Sequence, residues 1–129
     1  MVGALTEYSG TNTVPDVRRV GNTGNSTTLT TATTDTTTQA NELIVAVAGQ
    51  RGTFSSEQTS WASSPRNSFS IVSETSSFVN TTNNDRAVAF LERIVTSTGT
   101  FSTGMTGNNN VRACTIVAFQ EIKIAPVLG

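Results

Sequence analysis

The chain has 129 residues, a formal net charge of −1 and no histidine. This length suits one domain with a core of its own, and the balanced charge argues against a general nucleic-acid binder, which carries a strong basic excess. Without histidine, neither a Ser-His-Asp nor a Cys-His catalytic arrangement can form, and the commonest zinc ligand is missing. We therefore expect no enzymatic activity, no catalytic residue, no cofactor, no bound metal and no nucleic-acid partner.

Uncharged polar residues are abundant. Thr (24), Ser (14) and Asn (11) supply 49 of the 129 residues, whereas charged residues make up 13%. Threonine is β-branched and suits a half-exposed pleated surface, and Ser and Asn suit turns. The composition therefore predicts strands joined by polar turns, with hydroxyl groups in place of charges on the solvent side.

The N-terminal part of the chain predicts three short extended segments. Residues 3–9 form the first, and a turn-rich link over 10–16, which contains Pro15, separates it from the second at 17–20. After a short loop, the Thr-rich stretch 27–34 predicts an edge-like strand, because runs of Thr favour strand over helix.

The strongest core strand is predicted in the middle of the chain. Residues 43–48, Leu-Ile-Val-Ala-Val-Ala, are apolar on both faces of a strand. A long loop over 50–67 carries Trp61. A strand at 69–74 follows this loop, and a further short strand is predicted at 78–79.

Alternating residues mark the C-terminal part. The pattern over 86–96 indicates a strand, although Ala, Leu, Glu and Arg would also permit a helix over 87–94. In the strand, one face carries Val88, Phe90 and Glu92, and the other carries Ala87, Ala89 and Leu91. A short strand is predicted at 100–105, and residues 111–124 predict the longest strand.

Eight or nine short strands at about ten-residue spacing are typical of a β-sandwich or barrel. We predict an all-β fold: a single antiparallel β-sandwich domain over residues 1–129. The strand patterns predict a core that includes Leu43, Val45, Val47, Phe69, Ile71, Val88, Phe90, Ile116, Ala118 and Phe119.

Few side chains suggest a small-molecule site. The nine carboxylates lie mostly in predicted turns or at strand ends, so the sequence does not indicate the facing pair that a glycosidase needs. Cys114 sits in a strand pattern that predicts a buried thiol. Trp61 and Arg66 lie in a Ser-rich loop and are candidate ligand-binding residues if Trp61 is exposed; otherwise Trp61 belongs to the core. No apolar run approaches the ~18 residues that a membrane-spanning helix requires, so no membrane partner is expected.

The two ends of the chain are candidate interface arms. Segments 1–20 and 122–129 are rich in apolar residues, and each contains a proline that disfavours a central sheet position. Exposed apolar segments with arginines suit an assembly interface. The alternative is that both segments are edge strands of the same domain. The candidate interface residues are Val14, Pro15, Val17, Arg18, Arg19, Val20, Ile124, Pro126, Val127 and Leu128.

Three stretches carry a resemblance to a known group of proteins: Ala-Asn-Glu-Leu-Ile-Val-Ala-Val-Ala-Gly at 40–49, Ala-Val-Ala-Phe-Leu-Glu-Arg at 87–93 and Ala-Cys-Thr-Ile-Val-Ala-Phe-Gln-Glu at 113–121. With the Thr-rich lead-in and the Trp61 loop, this pattern resembles small β-sandwich modules of tailed-phage structural proteins, such as capsid decoration (cement) proteins and fibre modules.

The resemblance implies a jelly-roll-like sandwich without cofactor or catalytic residues. It implies a decoration protein on the capsid exterior of a virion, with the major capsid protein and copies of itself, in a homotrimer, as partners. The alternative function is a carbohydrate- or receptor-binding module of a tail fibre or secreted protein, with a glycan as ligand.

Overall fold

The computed structural model describes residues 5–21, 24–25, 28–52, 61, 64–77, 85–107 and 111–123. These residues contain eight strands and no helix. The strands are β1 (Thr11–Val20), β2 (Gly24–Asn25), β3 (Thr28–Thr30), β4 (Glu42–Gly52), β5 (Ser70–Ser77), β6 (Asp85–Val95), β7 (Gly104–Thr106) and β8 (Val111–Glu121).

The strands form two antiparallel sheets. The large sheet has the order β1-β8-β4-β6-β5, with the short β2 also paired to β8, and the second sheet consists of β3 and β7. Side chains from both sheets share one hydrophobic cluster. The predicted all-β antiparallel sandwich is therefore confirmed. A jelly roll divides eight strands between two sheets; the strand order here, with six and two, does not confirm that more specific prediction.

Strand β1 is longer than the sequence predicts. The predicted link over 10–16 is mostly strand, and residues 5–9, predicted as a strand, are not one. Pro15 is accommodated because β1 lies at the edge of the sheet, and the register with β8 shifts on both sides of this residue. A proline at an edge removes no hydrogen bond to a second neighbour. The short strand predicted at 78–79 lies outside the described residues.

The core lies on the alanine-rich face of the large sheet. Along β4, β6 and β8, this face carries Ile44, Ala46, Ala48, Ala89, Leu91, Cys114, Ile116 and Ala118. Leu29 of β3 and Met105 of β7 pack against it and are fully buried. Small alanine side chains let the second layer approach closely. Close approach matters because two packed layers exclude water only when their side chains fill the space between them.

The predicted core needs a correction. Of the ten residues predicted, Leu43, Val45, Phe69, Ile116 and Ala118 are buried, whereas Ile71, Val47, Val88, Phe90 and Phe119 are only half-buried. Four of the half-buried residues belong to the other face of the large sheet. Both faces of β4 and β6 are apolar, so alternation alone does not show which face the second layer covers.

Cys114 is buried, as predicted. Its Sγ donates a hydrogen bond to the carbonyl oxygen of Thr30 at 3.1 Å, which links β8 to the second layer. Gly21, at the end of β1, passes close to the same two residues, and a Cβ there would overlap both Cys114 and Thr30. A side chain at position 21 would thus push the two layers apart.

A ladder of threonines joins the second layer beyond β3. Thr31, Thr34 and Thr37 are buried, and each donates its backbone N–H to a carbonyl, of Thr103, Phe101 and Gly99 respectively, at 2.9 Å. Each Oγ1 accepts a hydrogen bond from the N–H of the same partner, at 3.0, 2.9 and 3.2 Å. The repeat Thr-Thr-X over 30–38 supplies one inward hydroxyl every three residues, so the segment pairs through its backbone N–H groups as donors and its threonine hydroxyls as acceptors.

Replacing Thr34 by valine tests this ladder. Thr34→Val keeps the side-chain shape but leaves the buried N–H of Phe101 without its acceptor, so we expect a loss of about 1–3 kcal/mol in the free energy of unfolding. Urea denaturation measures it. Thr33→Val, at the exposed neighbouring position, is the control and should leave the stability nearly unchanged. Equal effects of the two substitutions would contradict the pairing role.

Candidate functional site

The face of the large sheet opposite the core is also apolar. We call it the outer face, and its apolar residues are Leu43, Val45, Val47, Val88, Phe90, Ile94, Val117 and Phe119. The register places Val45 between Glu92 and Val117, and Leu43 between Ile94 and Phe119. Antiparallel sheets that face water on one side usually carry polar residues there. Here Ile94 is 75% exposed, and its neighbours on this face are half-buried or buried.

The outer face is large enough for a protein interface. Strands of eleven residues, β4, β6 and β8, lie side by side and are flanked by β1 and β5. At about 3.3 Å per residue and about 4.8 Å between strands, this surface measures roughly 35 by 20 Å, or about 700 Å². A stable interface of standard size buries about 800 Å² on each partner.

The charges of the outer face are separated along β4, β6 and β8, whereas Arg18 of β1, opposite Val117 and in line with Val45 and Glu92, adds a positive charge near the acidic end. Arg51 of β4 and Arg86 of β6 are directly opposite each other at one end. Glu92 of β6 and Glu121 of β8 lie toward the other end. Like charges directly opposite each other on a sheet are destabilising, and Arg86 is held by interactions of its own, among them a hydrogen bond that its Nη1 donates to the carbonyl oxygen of Asp85 at 3.0 Å.

A pocket of about 420 Å³ lies at the acidic end. Its lining includes Tyr8, Glu42, Leu43, Glu92, Ile94 and Glu121, and contains no Lys or Arg. We call it the end pocket. Burial, and then the carboxylate of Glu92, raise the pKa of Tyr8 to about 12. The combination of carboxylates with Leu43 and Ile94 suits an aliphatic cationic side chain, such as Lys or Arg, from a partner.

Glu42 is the most deeply buried acid of the end pocket, at 2% exposure. Burial, and then the neighbouring Asp16, raise its pKa to about 7. Burial alone would raise the pKa of Asp16 as well, but hydrogen bonds to its carboxylate from Thr38 and Gln120 outweigh that effect and lower it. Asp16 therefore keeps its charge, and Glu42 holds a proton up to about neutral pH.

The residues predicted on β1 divide between two sides of the strand. Val14, Arg18 and Val20 are exposed. Val17 packs against the core, and Arg19 Nη2 donates to both carboxylate oxygens of Asp35, at 2.7 and 2.6 Å. In the structure β1 is thus an edge strand paired to β8.

The exposed side of β1 still offers a contact surface. A hollow of about 280 Å³ is lined by Val14, Pro15, Asp16, Val17 and Arg18. On the other candidate arm, Ile122 is half exposed. The candidate interface residues Ile124, Pro126, Val127 and Leu128 lie outside the described residues.

The two candidate ligand residues do not form a common site. Trp61 is half-buried, packs against the core and forms a β-bridge with Gly107. Arg66 Nη2 donates to the carbonyl oxygen of Leu29 at 3.0 Å and to Thr30 Oγ1 at 2.8 Å, and so holds β3 in place. Trp61 therefore follows the core alternative, and Arg66 is engaged in packing the second layer.

The end pocket was not predicted from the sequence, where its carboxylates were assigned to solvated surface. Two local signals could have indicated it. Glu42 directly precedes the apolar run of β4, and Glu92 shares its face with Val88 and Phe90. In the part of the chain that the structure describes, no group of three Cys, Asp or Glu side chains is placed to hold a metal ion, and no helix is long and apolar enough to cross a membrane.

The raised pKa of Glu42 predicts a pH-dependent stability. The folded state holds this proton up to about pH 7, whereas a glutamate in the unfolded chain has its ordinary pKa of 4.5. The contribution to stability is therefore present below pH 4.5 and is lost as the pH rises through 7. Between pH 4.5 and 7 we expect Glu42 to lower the free energy of unfolding of the wild type by about 3 kcal/mol at most.

Urea denaturation at a series of pH values from 5 to 8 tests this. Glu42→Gln, which stays neutral, should remove the downward slope, and the variant should be the more stable protein at pH 8. Glu74→Gln, at an exposed position on β5, is the control and should keep the slope of the wild type. A Glu42→Gln profile parallel to that of the wild type would contradict the assignment.

Comparisons with known proteins add no relative to this description. No protein-family model, curated protein or solved structure matches the chain. The resemblance to phage structural modules therefore depends on the residue pattern alone.

Proposed function

We propose that this chain is a non-catalytic structural protein of a virion, a capsid decoration protein that binds the outer surface of the major capsid shell and associates with copies of itself. The partner would cover the outer face, with β1 and the end pocket at its borders. In this proposal the protein acts at the capsid exterior.

The observation that carries the proposal is the apolar outer face. A single antiparallel sheet with one covered face should alternate apolar and polar residues, but β4 and β6 are apolar on both faces. On this face Val47, Val88, Phe90 and Phe119 are half-buried and lie outside the core cluster, whereas Leu43 and Val45 are buried. Keeping such side chains at a surface is costly unless a partner removes them from water.

The remaining exposed apolar residues support the same conclusion. Six large hydrophobic side chains are exposed among the described residues: Val14 and Val20 lie on β1, Ile94 lines the end pocket, Ile122 follows its Glu121, and Leu5 and Val72 are the other two. The charges of the outer face, Arg51 and Arg86 at one end and Glu92, Glu121 and Arg18 toward the other, would help to orient a partner. The lack of histidine supports a role without catalysis.

The proposal is tested with particles purified from cells that carry the gene. Mass spectrometry should find the chain in the particles. Ile94→Lys places a charge in the outer face at a position that is 75% exposed, so the variant should fold but bind particles at least tenfold less. Thr33→Lys, with the same added charge on the exposed side of the second layer, should bind as the wild type does.

Two results would contradict the proposal. One is absence of the chain from the particles, and the other is equal binding of Ile94→Lys and the wild type. The carbohydrate-binding alternative makes a different prediction: added glycans would shift the fluorescence of Trp61, the only tryptophan, and particles would bind the chain no better than a control protein. Sedimentation equilibrium reports self-association separately, including the homotrimer.

A further inference from the structure

Arg112 is a buried cation without a partner. It is 3% exposed, and its Nε, Nη1 and Nη2 atoms are all buried without a hydrogen bond. Burial lowers the pKa of Arg112 from its usual value. A guanidinium nevertheless stays protonated in proteins, so it cannot avoid the cost of burial by losing its charge. A buried charge of this kind is strongly unfavourable unless an opposite charge or a set of acceptors compensates it.

A second unpartnered donor lies in the same region. Arg112 of β8 is directly opposite Gln50 of β4, and both approach Gly107, where a Cβ would lie 3.2 Å from Arg112 Nη1. Trp61 forms its β-bridge with this same Gly107. The indole Nε1 of Trp61 is also buried without a hydrogen-bond partner. Gly107 therefore lies close to Arg112 Nη1 and to the acceptor Gln50 Oε1, and it is joined through its backbone to Trp61, whose Nε1 has no acceptor.

The carboxylates of the described chain do not compensate Arg112. Asp85 is fully buried at the same end of the sheet, opposite Gly52, but it has contacts of its own and forms no ion pair with Arg112 among the residues described. Glu42, Glu92 and Glu121 line the end pocket, near the opposite ends of these strands. Arg51 and Arg86 instead add positive charge at the Arg112 end, and a positive potential attracts anions.

We propose that a small oxyanion, a carboxylate or an inorganic ion such as phosphate or sulfate, binds at Arg112. The unpartnered guanidinium presents parallel N–H groups, and this fork matches two oxygens of one oxyanion. The indole N–H of Trp61 is a further donor. The depth of Arg112 favours a free small anion over a side chain of a partner protein. This inference is independent of capsid binding, because the site lies on the core side of the sheet rather than on the outer face.

Thermal unfolding in phosphate, in sulfate, in acetate and in chloride, at matched ionic strength, tests the site. One of the oxyanions should raise the melting temperature of the wild type with the logarithm of its concentration, because each tenfold rise above its Kd multiplies the folded-to-unfolded ratio about tenfold. Sulfate and phosphate also stabilise proteins without binding to a site. Lys123→Met, which removes one exposed positive charge beyond the other end of β8, should therefore keep the full effect, and Arg112→Met should lose the part that follows the logarithm of the oxyanion concentration.

A second expectation distinguishes a ligand site from a merely structural arginine. In chloride alone, Arg112→Met should be at least as stable as the wild type, because the variant removes an uncompensated buried charge. Fluorescence of Trp61 should change saturably with the same oxyanion, and this measurement needs only the wild type if Arg112→Met does not fold. Equal stabilisation of wild type and Arg112→Met, or no saturable change in Trp61 fluorescence with any of the three oxyanions, would overturn the proposal.

Discussion

Close contact between the alanine-rich face of β4, β6 and β8 and the small second layer holds the two sheets together. Ala46, Ala48 and Ala89 leave room for Leu29 and Met105, which are fully buried between the sheets. Beyond β3 and β7, the second layer continues only as the paired segments 31–37 and 99–103, joined through threonine hydroxyls. A layer this thin can cover one face of a sheet and no more. The other face of the large sheet is therefore left to segments of the N-terminus, to solvent or to a partner, and its apolar character follows from the same strands that make the core.

The sequence predicted the central strands well because their alternation is a local property. The pattern over 86–96 correctly separates Val88 and Phe90 from Ala87 and Ala89. It could not show which of these faces is the core, because that depends on the residues that the second layer brings against the sheet. Side-chain size favoured Val88 and Phe90 as core residues, whereas the core face of β6 carries Ala87 and Ala89. The advantage of alanine appears only when another layer packs against it. The Thr-Thr-X repeat was visible as composition, but its pairing with 99–103 joins residues more than sixty positions apart, which no local pattern specifies.

The same limitation explains the candidate site. Glu42 and Glu92 lie fifty positions apart and meet only because β4 and β6 are neighbours. The apolar N-terminal end was a candidate interface, and in the structure β1 is an edge strand paired to β8 at Thr11, Pro15 and Val17–Val20, with Val14, Arg18 and Val20 exposed. An edge of this kind is better suited to binding than a free arm, because its side chains are already ordered and lose little conformational entropy when a partner binds.

The two ends of β4 show two solutions to one electrostatic problem. Both Glu42 and Arg112, which lies opposite Gln50 near the other end, are taken out of water where the sheet meets its covering segments. Glu42 can lower its cost by keeping a proton, and nearby Asp16, whose charge is held by Thr38 and Gln120, makes that the favoured state. Arg112 has no such option, since a guanidinium does not give up its proton at any ordinary pH. A buried acid can therefore remain without a counter-charge at neutral pH, whereas a buried arginine needs acceptors, and among the described residues the protein does not supply them. In the described part of the fold, Arg112 is accordingly a buried charge that a bound anion would compensate.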